Sequence, residues 1–249
     1  ATAEELDIPM VWHVGDPEQF WDSERIPTWA KQRGWGYGAA DIALEDLYAE
    51  VDEILDRHPA LRIILPHFYF LSADLPRAGR FLDARPSVSF DLAPGVEMLY
   101  NISRSAEAGR QFLIEYADRI VFGTDIFSTM SLSEASARSD LVRRWLETPD
   151  EFRVPPEADF LLGPASEGVI RGLDLDEETL GRIYQRNFHA IAGATPKTLD
   201  IDRAVKCCER IARIASEMSA VDAAETPAGR AARQLPSFAN HRSKASPSS

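Results

Sequence analysis

The chain has 249 residues, of which 45% are hydrophobic and 27% charged, a composition typical of a globular protein with ample material for a core. A formal net charge of −13 at pH 7 argues against nucleic acid and anionic membranes as partners, because like charges repel. No apolar run approaches the roughly 18 residues that span a bilayer, so we expect a small-molecule partner and no membrane. Cysteine occurs only as the adjacent Cys207 and Cys208, which cannot form a disulfide framework and predict a reducing, cytoplasmic location.

Short apolar runs alternate with amphipathic segments through the first half of the sequence. Strands, the first of them buried, are predicted at residues 8–14, 61–65, 87–92 and 119–122. Helices are predicted between them at 41–58, about 75–84 and 103–117. Because each crossover between parallel strands must return over the sheet, this alternation predicts an α/β fold with a parallel sheet covered by helices.

No strand is predicted after Asp125. Helices are predicted at 133–148, 176–192 and 200–219, with an irregular segment that contains proline and glycine at 149–173. From Ala223 onward apolar residues become sparse, which predicts a disordered tail. We therefore expect one domain at residues 1–199, followed by a C-terminal helix and a disordered tail at 200–249.

A chemically capable side chain lies at the carboxyl end of each of the four predicted strands; these are His13, His67, Asp91 and Asp125. The carboxyl ends of parallel strands face one crevice, which is where ligands bind in such sheets. Any one of the four could instead be a buried side chain satisfied by a hydrogen bond. Together, neutral imidazole and carboxylate are ligands that suit zinc and related divalent ions, so the pattern predicts a shared site.

An aromatic loop at residues 20–37 follows the first strand, and it includes Trp21. We interpret it as a substrate lid or pocket wall, with Trp21 as a substrate-binding residue. The alternative is that the loop packs against a neighbouring loop or subunit.

Four short runs occur in the order IPMVWHVGDP, IILPHF, SFDLAP and IVFGTDIF. Together they resemble strands five to eight of the amidohydrolase-related (amidohydrolase 2) family of metal-dependent hydrolases, which have a TIM barrel. The similarity spans about residues 1–199 and includes the later runs RWLET, GVIRGL and YQRNF. The resemblance implies the C-terminal half of a (β/α)₈ barrel, with about four parallel strands and their helices, plus a C-terminal helical extension.

The resemblance also implies a role for individual residues. His13 matches the metal ligand on strand five, and Asp125 matches the aspartate on strand eight that binds the metal and acts as general base on the attacking water. His67 matches the histidine on strand six, which polarises the substrate carbonyl or binds a second metal. Asp91 is expected to bind substrate or to orient a neighbouring side chain. The implied cofactor is a divalent metal, Zn²⁺ first, with Mn²⁺ or Fe²⁺ as alternatives.

The sequence departs from the family in one important respect. The His-x-His motif of strand one, which supplies two further metal ligands, does not occur in these 249 residues. Two ligands from strands five and eight are fewer than the three usual for catalytic zinc. We therefore expect either a homo-oligomer or a missing N-terminal half to complete the site. The activity of the isolated chain depends on whether the metal site is completed.

Four functions stay open on the sequence alone. The leading hypothesis is a metal-dependent hydrolase in which metal-activated water attacks a C–N or ester bond of a small molecule. A non-oxidative decarboxylase of the same superfamily is the first alternative. The second is a metal-independent glycosidase that uses Asp91 and Asp125 as paired carboxylates. The last is a catalytically incomplete half-barrel, either a fragment or a subunit.

Overall fold

The computed structural model describes residues 3–195, 198–219 and 221–242, which fall into two compact units that divide between Ala194 and Thr195. This division lies close to the domain boundary predicted between residues 199 and 200. Within the described residues, no helix is long and apolar enough to cross a membrane.

A four-stranded parallel sheet organises the first unit. Its strands are β1 (Met10–Val11), β2 (Ile63–Leu65), β3 (Val88–Asp91) and β4 (Ile120–Val121), hydrogen-bonded in the order β1-β2-β3-β4. The parallel sheet with intervening helices confirms the predicted α/β architecture. All four strands are shorter than predicted. The prediction that the first strand is buried is wrong for β1, an edge strand of the described sheet whose two residues are exposed, Val11 by 67%.

The helices that follow the strands are α1 (Thr28–Gln32), α2 (Leu44–Arg57), α3 (Leu75–Ala84), α4 (Met98–Ser103), α5 (Ala106–Glu115) and α6 (Leu132–Glu147). Helix α2 buries Leu44, Tyr48, Val51 and Leu55, which lie three or four residues apart and so form one face of the helix.

The helix predicted at 103–117 corresponds to α5, and a further helix, α4, directly precedes it. Ser105 lies between them in a non-helical conformation. A Cβ on Gly109 would lie 2.2 Å from Cγ2 of Ile102. The bend therefore brings α5 against α4 at a distance that only glycine allows.

After β4 the first unit contains two further strands, β5 (Glu151–Phe152) and β6 (Ile170–Arg171), which pair antiparallel. The expectation of no strand after Asp125 is thus wrong, because strands of two residues carry no hydrophobic periodicity. Between them lies α7 (Asp159–Leu162), and beyond them α8 (Glu177–Gly181), a π-helical turn (Arg182–Arg186) and α9 (Asn187–Ala192) run consecutively. These last three elements confirm the helix predicted at 176–192.

The second unit contains α10 (Ile201–Met218) and α11 (Pro227–Arg242). Helix α10 confirms the prediction for 200–219. The disorder predicted from Ala223 onward is wrong as far as residue 242, because a turn at Asp222–Thr226 caps α11. Within that turn the Thr226 hydroxyl accepts a hydrogen bond from the Gly229 amide. The predicted tail at 243–249 lies outside the described residues.

Candidate active site

A cavity of about 480 Å³ lies at the carboxyl ends of the parallel strands and is lined by His13, His67 and Asp125. These three residues follow β1, β2 and β4, so side chains about 55 residues apart in sequence meet at one wall. The parallel sheet causes this convergence, because its strands all end on the same side. The structure thus brings three of the four residues of the predicted site to one cavity.

The two histidines lie side by side. Their ring centroids are 5.1 Å apart in an edge-to-face arrangement, and the Phe70 ring stacks on His67 at 5.3 Å. Burial lowers the pKa of His13, and the neighbouring His67 lowers it further. His13 is therefore a neutral imidazole at pH 7, a form that accepts a proton or binds a cation.

His67 begins an unusual turn of the backbone. Four consecutive residues other than glycine have left-handed φ angles, namely His67 (56°), Phe68 (57°), Tyr69 (53°) and Phe70 (53°). Each such residue costs roughly 1–2 kcal/mol relative to the right-handed conformation. All four side chains are buried, and this packing holds the turn in place. Asp125 also has a left-handed φ of 53°. Of His13, His67 and Asp125, the last two therefore occupy strained backbone, as is common at functional sites.

The hydrogen bond of His67 decides its tautomer. Its Nδ1 lies 3.0 Å from the carbonyl oxygen of Ala93. A carbonyl oxygen only accepts, so Nδ1 carries the hydrogen and donates it. In the neutral ring the lone pair is then on Nε2. Such a histidine suits proton acceptance or metal binding, whereas polarising a substrate carbonyl would require its protonated form.

Asp91 positions the turn that carries His67. Its Oδ1 accepts hydrogen bonds from the backbone amides of His67 and Ala93, each at 2.9 Å. Burial raises the pKa of Asp91, while these hydrogen bonds oppose the rise. Asp91 is not among the residues that line the cavity. Its contacts favour the orienting role over the expected substrate-binding one, and only Asp125 of the two carboxylates of the glycosidase alternative lines the cavity.

Trp21 is not among the cavity-lining residues either. Its indole stacks on Tyr37 at 4.1 Å between ring centroids, and its Nε1 donates to the Ile42 carbonyl oxygen at 2.9 Å. Tyr37 does line the cavity, together with Phe20 and Trp35, so the aromatic loop forms part of the cavity wall. The structure gives Trp21 the role of a support behind Tyr37.

Asp16 is a cavity residue that the sequence analysis missed. It accepts a short hydrogen bond from the Tyr37 hydroxyl, and it faces the same cavity as His13. Burial, and then this hydrogen bond, raise the pKa of Tyr37 to about 12, so the phenol keeps its proton. The sequence did contain an indication of this role, because Asp16 lies in the Gly-Asp-Pro segment that directly follows the first strand. Polar residues directly after the strands of a parallel sheet tend to reach the ligand.

Arg138 was also missed. It lies on α6 and is 0% exposed, with Nε 3.0 Å from the Thr124 carbonyl oxygen and Nη2 3.1 Å from that of Pro94. Nη2 is also 3.7 Å from Oδ2 of Asp125. The sequence does carry a signal for the burial of Arg138. This residue lies three and four positions before the buried Leu141 and Val142, on the same face of α6.

Glu97 is a third missed residue, and it is buried next to the cavity wall. Its Oε1 is 3.5 Å from the Ser72 hydroxyl, and its Oε2 has no hydrogen-bond partner among the described residues. A Cβ on Gly95 would lie 3.6 Å from Oε2 of Glu97 and 3.5 Å from Nδ1 of His67, so only a glycine separates the two side chains. Burial raises the pKa of Glu97 to about 7.

The cavity has donor groups that suit a divalent metal, but they do not form a complete site. Histidine and aspartate have the right chemistry for zinc, manganese or iron. Among residues 3–195, 198–219 and 221–242, however, no three His, Cys, Asp or Glu side chains are arranged to hold an ion. A catalytic zinc normally takes three protein ligands, so the described residues do not fit the metal by themselves.

A protein-family model described as Amidohydrolase matches residues 1–187. That family has a TIM-barrel fold, includes hydrolases and decarboxylases, and generally binds divalent metals. No curated protein and no solved structure matches the chain. The match covers most of the chain and includes all four histidine and aspartate residues that line the cavity. The chain therefore belongs to the Amidohydrolase family.

Proposed function

We propose that the chain hydrolyses a C–N or ester bond of a small molecule in the 480 Å³ cavity. The observation that supports this most directly is the meeting of His13, His67 and Asp125 at one wall, in a chain whose family includes hydrolases. The cavity volume lies in the usual range for small-molecule sites, and its aromatic wall would bury the apolar part of a substrate.

In this proposal Asp125 is the general base. Its carboxylate takes a proton from the attacking water, and the buried Arg138 guanidinium holds that carboxylate in place from 3.7 Å. His67 presents Nε2 to the cavity because Nδ1 is held by Ala93. Asp91 is a positioning residue that acts through the His67 turn.

We further propose that the four parallel strands are the C-terminal half of a (β/α)₈ barrel. His13 and Asp125 would then be two ligands of a divalent ion, with zinc preferred, and donors outside the described residues would complete its coordination. When bound, such an ion would lower the pKa of a water molecule towards about 7. The exposed β1 edge, where Val11 is 67% exposed, supports this reading because such an edge can pair with another strand.

The test is a product assay on the full chain with amide, ester and lactone panels, run beside an assay for carbon dioxide release from aromatic and unsaturated acids. We expect bond hydrolysis that is lost in Asp125→Asn and retained in His189→Gln, a histidine that does not line the cavity. Carbon dioxide release without hydrolysis would replace the proposal with the decarboxylase. Retention of full activity in Asp125→Asn would reject the cavity as the active site.

Chelation and add-back of Zn²⁺, Mn²⁺ or Fe²⁺ test the metal part separately. We expect activity to fall on chelation and to return with one of these ions. Full activity after exhaustive chelation, with no metal in the protein by elemental analysis, would reject the metal part and leave the hydrolase part standing.

A further inference from the structure

A second cavity of about 240 Å³ lies between α2, α3 and the left-handed turn that begins at His67. Tyr69 of that turn lines this second cavity, whereas His67 and Phe70 of the same turn line the 480 Å³ cavity. Arg80 and Arg85 are among its other lining residues. No part of the proposed reaction uses this cavity.

Two buried polar groups and one exposed guanidinium at this cavity have no partner within the part of the chain that the structure describes. The Tyr69 side chain is 2% exposed and its hydroxyl has no hydrogen-bond partner among the described residues. The buried Nε of Arg85 is also unpartnered there. No ion pair or hydrogen bond joins the exposed Arg80 guanidinium to another residue in the described ranges. A buried polar group without a partner is unusual in a folded protein and calls for a ligand or an ordered water.

All three groups can donate hydrogen bonds, and this decides the chemistry of a ligand. Guanidinium groups only donate, and a protonated phenol donates through its hydroxyl. Burial raises the pKa of Tyr69 well above its usual range, so the phenol keeps its proton. The complement of three donors at one cavity, one of them on an arginine without an ion-pair partner among the described residues, is an oxygen that only accepts and carries negative charge.

The acidic side chains around the cavity do not satisfy Arg80. Glu45 forms two hydrogen bonds of 2.8 Å with Arg77. Asp52 and Asp56 both pair with Arg85, at 3.2 and 2.8 Å. These contacts neutralise the neighbouring arginines and leave the charge of Arg80 for a ligand.

We propose that this cavity binds a small oxyanion, with a carboxylate or phosphate group held by Arg80, the Tyr69 hydroxyl and the Nε of Arg85. Its volume is several times the roughly 30 Å³ that one water occupies in the liquid, and it lies below the range of drug-sized ligand sites. The ligand is therefore a small molecule. The site does not depend on the proposed hydrolysis, because none of its three donors lines the catalytic cavity.

Thermal unfolding of the full chain tests the proposal with two probes, inorganic phosphate and malonate, each titrated against sodium chloride at the same ionic strength and pH. We expect one or both to raise Tm in the unsubstituted chain and in the control Arg104→Gln, which removes an exposed arginine away from the cavity. Arg80→Gln should weaken the apparent affinity roughly tenfold, the usual scale for a hydrogen bond between charged groups. A response to phosphate alone or to malonate alone identifies the class of oxyanion.

Tyr69→Phe supplies a second readout that removes one oxygen atom. Without oxyanion this variant should be at least as stable as the unsubstituted chain, because it deletes an unpartnered buried hydroxyl. At saturating oxyanion the order should reverse. Equal Tm rises in all four proteins would show general salt exclusion from the surface, which phosphate produces in many proteins, and would overturn the proposal. A Tm that is the same in oxyanion and in chloride would also overturn it.

Discussion

Nη2 of the buried Arg138 lies 3.7 Å from Oδ2 of Asp125, and the same nitrogen donates to the Pro94 carbonyl oxygen at 3.1 Å. With its Nε bound to Thr124, this guanidinium joins the loop after β3 to the loop after β4. Burial lowers the pKa of Arg138, and the Asp125 carboxylate opposes the drop. Helix α6 supplies none of the residues that line the cavity, yet its Arg138 helps to position the Asp125 carboxylate.

Replacing Arg138 should reduce stability as well as activity. Arg138→Gln removes a cation that is completely buried and at least one of its two bonds to carbonyl oxygens, which should cost about 2–4 kcal/mol of unfolding free energy. Urea unfolding measures this loss. Arg143→Gln on the same helix is the control, because that residue is exposed, and its stability should not change measurably. A fully stable Arg138→Gln would contradict the role given to this residue.

Replacing Asp125 should reduce turnover with little effect on folding. Removal of a general base typically slows a reaction by about 100-fold or more, so Asp125→Asn should lose at least that much in kcat. The Asp125 side chain is 35% exposed, so the isosteric amide should fold normally. Far-UV circular dichroism and steady-state kinetics on a substrate found in the panel check both parts. Loss of kcat with loss of fold would leave the catalytic assignment unsupported.

Asp91 offers a test of positioning that separates its charge from its hydrogen bonds. Asp91→Asn retains a carbonyl oxygen that can accept from the amides of His67 and Ala93, whereas Asp91→Ala loses both bonds. We expect Asp91→Ala to lose about 1–3 kcal/mol of stability and most of its activity. Asp91→Asn should retain more of each. If both variants lost activity equally while remaining folded, the charge of Asp91 would be what matters.

Glu97 should make stability depend on pH in a predictable direction. Its pKa is about 7 in the folded chain and near 4.5 when unfolded, so the folded state binds more protons between these values. Unfolding free energy should therefore fall as pH rises from about 4.5 through 7, by up to about 3 kcal/mol. Glu97→Gln has no such titration. Its stability relative to the unsubstituted chain should increase between pH 5 and pH 8, as measured by urea unfolding at both values.

Much of the site could be predicted from the sequence, because strand ends in a parallel sheet converge wherever the strands themselves are placed correctly. The apolar runs before His13, His67 and Asp125 were sufficient for that. The positions of Asp91 and Trp21 could not be predicted in the same way. A residue at the end of a strand can point to the ligand or to the neighbouring loop, and only the contacts of Asp91 with the amides of His67 and Ala93 distinguish the two.

The sequence by itself determined the family, the alternation of strands and helices, and the three residues that meet at the cavity, because each depends on local patterns of residues. The tertiary structure decided the left-handed turn at His67, the partners of Arg138 and the second cavity beside Tyr69. These depend on contacts between distant segments, such as the 44 positions that separate Arg138 from Pro94. No local periodicity encodes such a contact, because its free energy comes from burial and hydrogen bonding that exist only once the elements have packed.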